Sequence, residues 1–237
     1  MKRIYVALCL LLTGFGAFAQ TIKDENVEVR DAKNFTVIRL SSAFDVYLTQ
    51  SNEESVAVSA SDQKYMADIK VEVKNGVLDI DYRPKGGKWN SGNRKLKAYI
   101  SFKQLDKLDV SGACDVDIVG VWKGDGAKIY LSGASDLSGK LDIQKLSVDL
   151  SGASDMKVTG SVAQLNVEAS GASAFKGYDL TSEFCSARAS GASDVQITVN
   201  KELSVDASGA SDIKYKGAGL IRDVKTSGAS SVTKKNS

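Results

Sequence analysis

The 237-residue sequence has no histidine, one proline (Pro84) and only three cysteines. Without histidine, a Ser-His-Asp triad and a histidine-ligated zinc site are both excluded, and the commonest general base is missing. Cys9 lies in an apolar leader, so the mature chain keeps only Cys114 and Cys185, which are not spaced as a zinc pair. No Gly-rich phosphate loop opens a helical pattern. After residue 12 no apolar run approaches the roughly 20 residues of a membrane-spanning helix.

The chain also lacks an excess of either charge. Lys2 and Arg3 precede an apolar stretch from residue 4 to 12 and the small-residue signal Ala17-Phe18-Ala19, a pattern that predicts a signal peptide over residues 1–19. Cys9 sits inside the apolar stretch instead of ending it, which does not suit a lipid anchor. Removing Lys2 and Arg3 leaves 29 basic against 29 acidic residues. A neutral chain argues against nucleic acid or an anionic membrane as partner.

What the sequence has instead is a repeat. Ser-Gly-Ala-Cys-Asp at 111–115 is followed by Ser-Gly-Ala-Ser-Asp from 132, 151, 190 and 208, with variants from Ser170 and Ser227. Successive starts lie 21, 19, 19, 20, 18 and 19 residues apart, and a degenerate copy, Ser41-Ser42-Ala43-Phe44-Asp45-Val46, stands upstream. The residue after the Asp position is always apolar: Val116, Leu137, Met156, Phe175, Val195, Ile213 and Val232. So is the one three before the first Ser, from Leu108 and Ile129 through to Val224. Since strand side chains alternate faces, each copy reads as strand, Gly-containing bend, strand, with one buried face. The same alternation turns the fourth motif residue inward: Phe44, Cys114, then Ser135, Ser154, Ser173, Ser193, Ser211 and Ser230.

A period near 19 residues without helical spacing predicts an all-β fold, a β-solenoid whose coils stack about 4.8 Å apart. Seven coils would make a rod about 30–35 Å long. Cys114 and Cys185 fall several coils apart, too far for one disulfide, which leaves two buried thiols or an intermolecular bridge. Upstream, residues 35–40, 44–49, 55–60, 69–74, 77–82 and 96–102 read as strands, with Asn75-Gly76 as a hairpin turn. The polar loop at 84–93 carries Trp89, which with Tyr82 could stack on a sugar or form an edge cluster. We read one continuous domain in which irregular early coils lead into regular ones, with 219–237 as a last partial coil and polar tail.

With these features the chain resembles the putative auto-transporter adhesin, head GIN domain family of exported bacterial proteins. The likeness spans roughly residues 35–218 and rests on Phe35-x-x-Ile38 before Asp45-Val46, Ile69-x-Val71-x-Val73 with Gly76-x-Leu78-x-Ile80, and Leu105-x-x-Leu108-x-x-Ser111-Gly112-Ala113. The resemblance implies a right-handed β-helix, a periplasmic or surface location, often in Bacteroidetes, and a role in adhesion. It brings no catalytic residues with it, and the polar end Lys234-Lys235-Asn236-Ser237 does not read as an autotransporter barrel.

The candidate ligand-binding residues are the column Asp115, Asp136, Asp155, Asp194 and Asp212, interrupted by Ala174 and ended by Ser231. Carboxylates about 4.8 Å apart repel by roughly 1 kcal/mol per pair in water and more at a protein surface. Lys157, Lys176 and Lys214, two residues further on, could offset this, or Ca²⁺ could bind between coils, although the spacing is not that of nonapeptide calcium repeats. A solvated structural ladder is the simplest account, since Asp also favours turns.

The sequence thus predicts an exported, non-enzymatic adhesion module of the cell envelope, without a cofactor, whose partner is a glycan or cell-surface protein. Two rivals stay open. One is a solenoid-type carbohydrate-active enzyme working with Asp, Lys and Arg alone. The other is a structural envelope protein that forms homo-oligomers through its strand edges.

Overall fold

The computed structural model describes residues 24, 26–84 and 94–235. The expected signal peptide and Trp89 lie outside the described residues. Among those described, nearly all regular structure is strand. The N-terminal part holds β1 (Val27–Arg30), β2 (Val37–Leu40), β3 (Phe44–Gln50), β4 (Ser55–Ser59), the single-turn helix α1 (Gln63–Met66), β5 (Ile69–Lys74), β6 (Val77–Tyr82), β7 (Leu96–Phe102) and β8 (Lys107–Val110). The repeats follow as β9 (Asp115–Leu131), β10 (Asp136–Leu150), β11 (Asp155–Ala169), β12 (Ala174–Ala189), β13 (Asp194–Ala207), β14 (Asp212–Lys216), β15 (Leu220–Thr226) and β16 (Ser231–Lys234).

Strands β9 to β13 each run a whole coil, from one Ser-Gly-Ala-Ser bend to the next, and pair in parallel. The expected solenoid is therefore present, but the strand between bends is continuous and is broken only by local register shifts such as that between Ser138 and Lys140.

The motif sets the register through its backbone. Gly152 has φ +73°, and a Cβ on it would lie 2.4 Å from the carbonyl oxygen of Gly133 in the coil below. That carbonyl accepts the N–H of Ala153 at 2.8 Å. The same contact recurs from coil to coil, so only glycine satisfies both the left-handed turn and the close stacking. The fourth motif residue points inward as the alternation required. Ser173, Ser193 and Ser211 each donate to the carbonyl of the first Ser of their own bend, at 2.8, 2.9 and 2.8 Å, and are buried at no cost in unmet hydrogen bonds. Cys114 occupies the same seam, and Cys185 lies inside a coil three strands further on. Both thiols are free and buried, and burial pushes them up to about 11 and about 12, so they stay unreactive at neutral pH.

The stack does not follow chain order at its N-terminal end, contrary to the sequence reading of early coils leading on into later ones. Strand β2 lies between β6 and β8, and β3 lies between β7 and β9. The coil to which β6 and β7 belong is thus the outer one, and the degenerate copy at 41–46 lies inside it. Beyond that coil the strands reverse. β5 pairs antiparallel with β6, β4 with β7, and β1 with β4. With Met66 of α1 buried against the core, these elements cap the end of the rod. The hairpin turn between β5 and β6 falls at Asn75 and Gly76, with φ +51° and +75°.

Candidate functional site: an outward aspartate ladder

Each Asp of the repeat opens a strand directly after the bend, where alternation turns it outward while its apolar neighbour points in. The strand pairing then brings all five candidates into one column. Asp115 faces Asp136, Asp136 faces Asp155, Asp155 faces Ala174, Ala174 faces Asp194, and Asp194 faces Asp212, which ends against Ser231. The structure adds Asp45, which pairs with Asp115 and makes four consecutive carboxylates. The degenerate upstream copy had signalled it.

A second column runs alongside, two residues on: Tyr99, Tyr47, Asp117, Ser138, Lys157, Lys176, Gln196, Lys214 and Thr233. Together the columns divide the face. Toward the C-terminal end the charge is balanced. Lys176 Nζ lies 2.5 Å from Asp155, and Lys214 Nζ bridges Asp194 at 3.1 Å and Asp212 at 3.4 Å. Ser231 donates to Asp212, and with Lys214 it holds that carboxyl below its ordinary range. Lys157, also expected to offset the column, forms no ion pair with the described residues.

Toward the N-terminal end the charge is not balanced. Asp45, Asp115, Asp117 and Asp136 adjoin one another; Ser138 separates them from Lys157, and Lys97, across from Asp45, is held by Asp24 at 3.0 Å. Partial burial raises the Asp115 carboxyl above its ordinary range, and the charges of Asp136, Asp45 and Asp117 push the same way. Ser138 donates to Asp117 at 2.5 Å. Tyr47 and Tyr99 close this end of the second column as a stacked pair, with centroids 5.2 Å apart. Between tyrosines and lysines, the short side chains leave a shallow cleft of about 270 Å³, lined by Asp115, Asp117, Asp136, Ser138, Lys157 and Lys176 among others. Among the described residues, no three acidic side chains converge as a metal cage.

Tyr82, offered from the sequence as a sugar-stacking group, is instead buried at the end of β6, with the Arg94 guanidinium over its ring. Sequence reasoning missed the Tyr47–Tyr99 pair, because the two residues are far apart in the chain and Tyr99 belongs to a coil without the motif. A larger groove of about 460 Å³ lies over Ala127, Leu146 and Leu165, with Lys128 and Lys145 at its rim.

The family model described as putative auto-transporter adhesin, head GIN domain matches residues 34–219. The chain belongs to this family. No protein of curated function matches it. Several solved structures share the head GIN fold seen here. A putative adhesin from Bacteroides fragilis NCTC 9343 aligns with a TM-score of 0.81 at 22% identity, over 88% of this chain and 96% of that one. A putative adhesin from Parabacteroides merdae ATCC 43184 gives 0.67 at 16% identity, over 89% and 96%. A putative lipid binding protein from Parabacteroides distasonis ATCC 8503 gives 0.68 at 24% identity, over 89% and 97%. No helix among the described residues of this head GIN chain is long and apolar enough to cross a membrane.

Proposed function

We propose that this head GIN chain is an exported, non-enzymatic adhesion module of the cell envelope, and that its aspartate face is the strip on which an extended glycan or a cell-surface protein docks. The observation that carries the reading is the in-register column of outward carboxylates from Asp45 to Asp155, beside a cleft of about 270 Å³. Pockets that engulf a small ligand run to about 300–1,000 Å³. This cleft is smaller and shallow, so it suits contact along a surface. A repeating ligand would meet equivalent groups at each coil, about 4.8 Å apart, with hydroxyl or ammonium groups donating to the carboxylates and the tyrosine pair bounding one end.

A glycan array probed with the purified chain, next to one carrying Asp115→Asn and Asp136→Asn together, tests this. Binding without product release, weakened at least about tenfold by the double substitution, is expected. Release of cleaved sugar would favour an enzyme, and binding indifferent to the substitutions would move the site elsewhere.

A further inference from the structure

We propose that the C-terminal end of the solenoid is a self-association surface, on which β15 of a second copy adds antiparallel to β15 about a two-fold axis at Val224. The two ends of the rod differ. The N-terminal end is closed by reversed strands and α1, whereas at the other end, among the described residues, β15 pairs only with β13 and β16 only with β14. Columns that are buried in every earlier coil emerge there uncovered. Leu203 and Val205 are 1% and 3% exposed, but their successors Ile221 and Val224 are 45% and 46% exposed, and Leu220 beside them 74%.

The choice of a second copy follows from the pattern of apolarity and charge. Uncovered core side chains on one rod find their match on another open end. The capped N-terminal end keeps Phe35, Met66 and Ile69 buried, so a head-to-tail stack would leave Ile221 and Val224 unmatched. Antiparallel self-pairing centred on Val224 puts Val224 against its own copy and Asp223 against Lys225 of the other chain, twice by symmetry, in exchange for the 3.3 Å ion pair that Asp223 and Lys225 make within one exposed chain end. Opposite charges directly across a strand pair favour the register. The nearby Arg222 is held aside by Glu202 at 3.3 Å, and Lys235 lies over the Tyr178 ring on the flank, so neither cation needs to face its copy. A two-fold contact of this kind closes at two subunits and does not grow into a fibre.

Light scattering coupled to size exclusion, on the purified chain up to about 100 μM, should give the mass of two copies. Asp223→Lys and Lys225→Asp should each weaken the dimer at least about tenfold, and the two together should restore it, because the swap keeps the cross-strand pairs. Val224→Lys should give a monomer. These positions are exposed, and an unchanged far-UV circular dichroism spectrum certifies the fold. A monomeric wild-type chain, single swaps that leave the dimer intact, or a mass that climbs past two copies would each overturn the proposal.

Discussion

Residues of one column can carry opposite energetic signs. The folded state raises the Asp115 carboxyl above 3.8, so the fold takes up that proton earlier than the unfolded chain does, and at neutral pH the charge is a cost. Asp212 is shifted the other way by Ser231 and Lys214, so its charge contributes stability above 3.8 that is lost as pH falls through its lowered value. Asp115→Asn should therefore stabilise at pH 7 by up to about 1 kcal/mol, or about 2–4 °C in Tm, and the gain should fade as the pH approaches 4 and below. Asp212→Asn should lose about 0.5 kcal/mol or less at pH 7, with the difference closing in acid. Thermal melts of both variants at pH 7 and pH 3.5 check the signs, and equal shifts in both would mean that the ladder does not distinguish its ends.

At the scale of elements, the cap is where stability should be most local. Met66 fills the end of the core from α1, and Met66→Ala should cost about 2–4 kcal/mol through the cavity it leaves. Hydrogen exchange should show β5 and β6 losing protection while β10 to β12 keep theirs, because coils contact only their neighbours. Uniform loss of protection would instead mean that the rod unfolds as one unit. This is also where the sequence was least legible. Coils carrying the Ser-Gly-Ala motif announce their columns, since each must present the same inward and outward residues to the next. The coil built from β6 and β7 carries no Ser-Gly-Ala motif, and nothing local says that it packs outside β2 and β3. Its strand limits were readable from alternation and from Asn75-Gly76, but its place in the stack is chosen by pairing between distant segments. The short strand β1 and the single turn of α1 also escaped notice, being too brief for any period to show. The ladder, by contrast, was legible from Asp115 to Asp212, with Asp45 visible only as part of a degenerate upstream copy, while the relief of its charge was not. Whether Lys157 or Lys176 reaches a carboxylate depends on side-chain direction, and Lys176 reaches back to Asp155 from the very coil where Ala174 leaves room.

For the whole molecule, stacking by nearest neighbours makes the number of coils a free variable so long as whole coils are removed. Deleting residues 151–169 joins Leu150 to Ser170 and keeps the bend intact. β12 then lies on β10, with Leu137 against Phe175, Val148 against Ala187 and Leu146 against Cys185, so these inward positions still meet apolar ones, while the buried Ser182, now against Ile143, keeps its hydrogen bond to the Thr198 carbonyl. The loss is one internal repeat out of a stack of near-equivalent interfaces, and the shortened chain should fold cooperatively with Tm lowered by no more than about 10 °C. Deleting only residues 151–160 removes a bend and leaves the rest of the coil unable to close, so inward side chains are thrown outward and the chain should not fold. The ladder supplies a readout beyond stability. In the 151–169 deletion Asp136 faces Ala174 directly, the run of consecutive carboxylates shortens to Asp45, Asp115 and Asp136, and Lys176 can reach Asp136 in place of Asp155. A chain that melts cooperatively yet binds its ligand more weakly would show that the solenoid and the strip it carries are separable. If the whole-coil deletion unfolds like the half-coil one, the stack is held by something other than contacts between neighbouring coils.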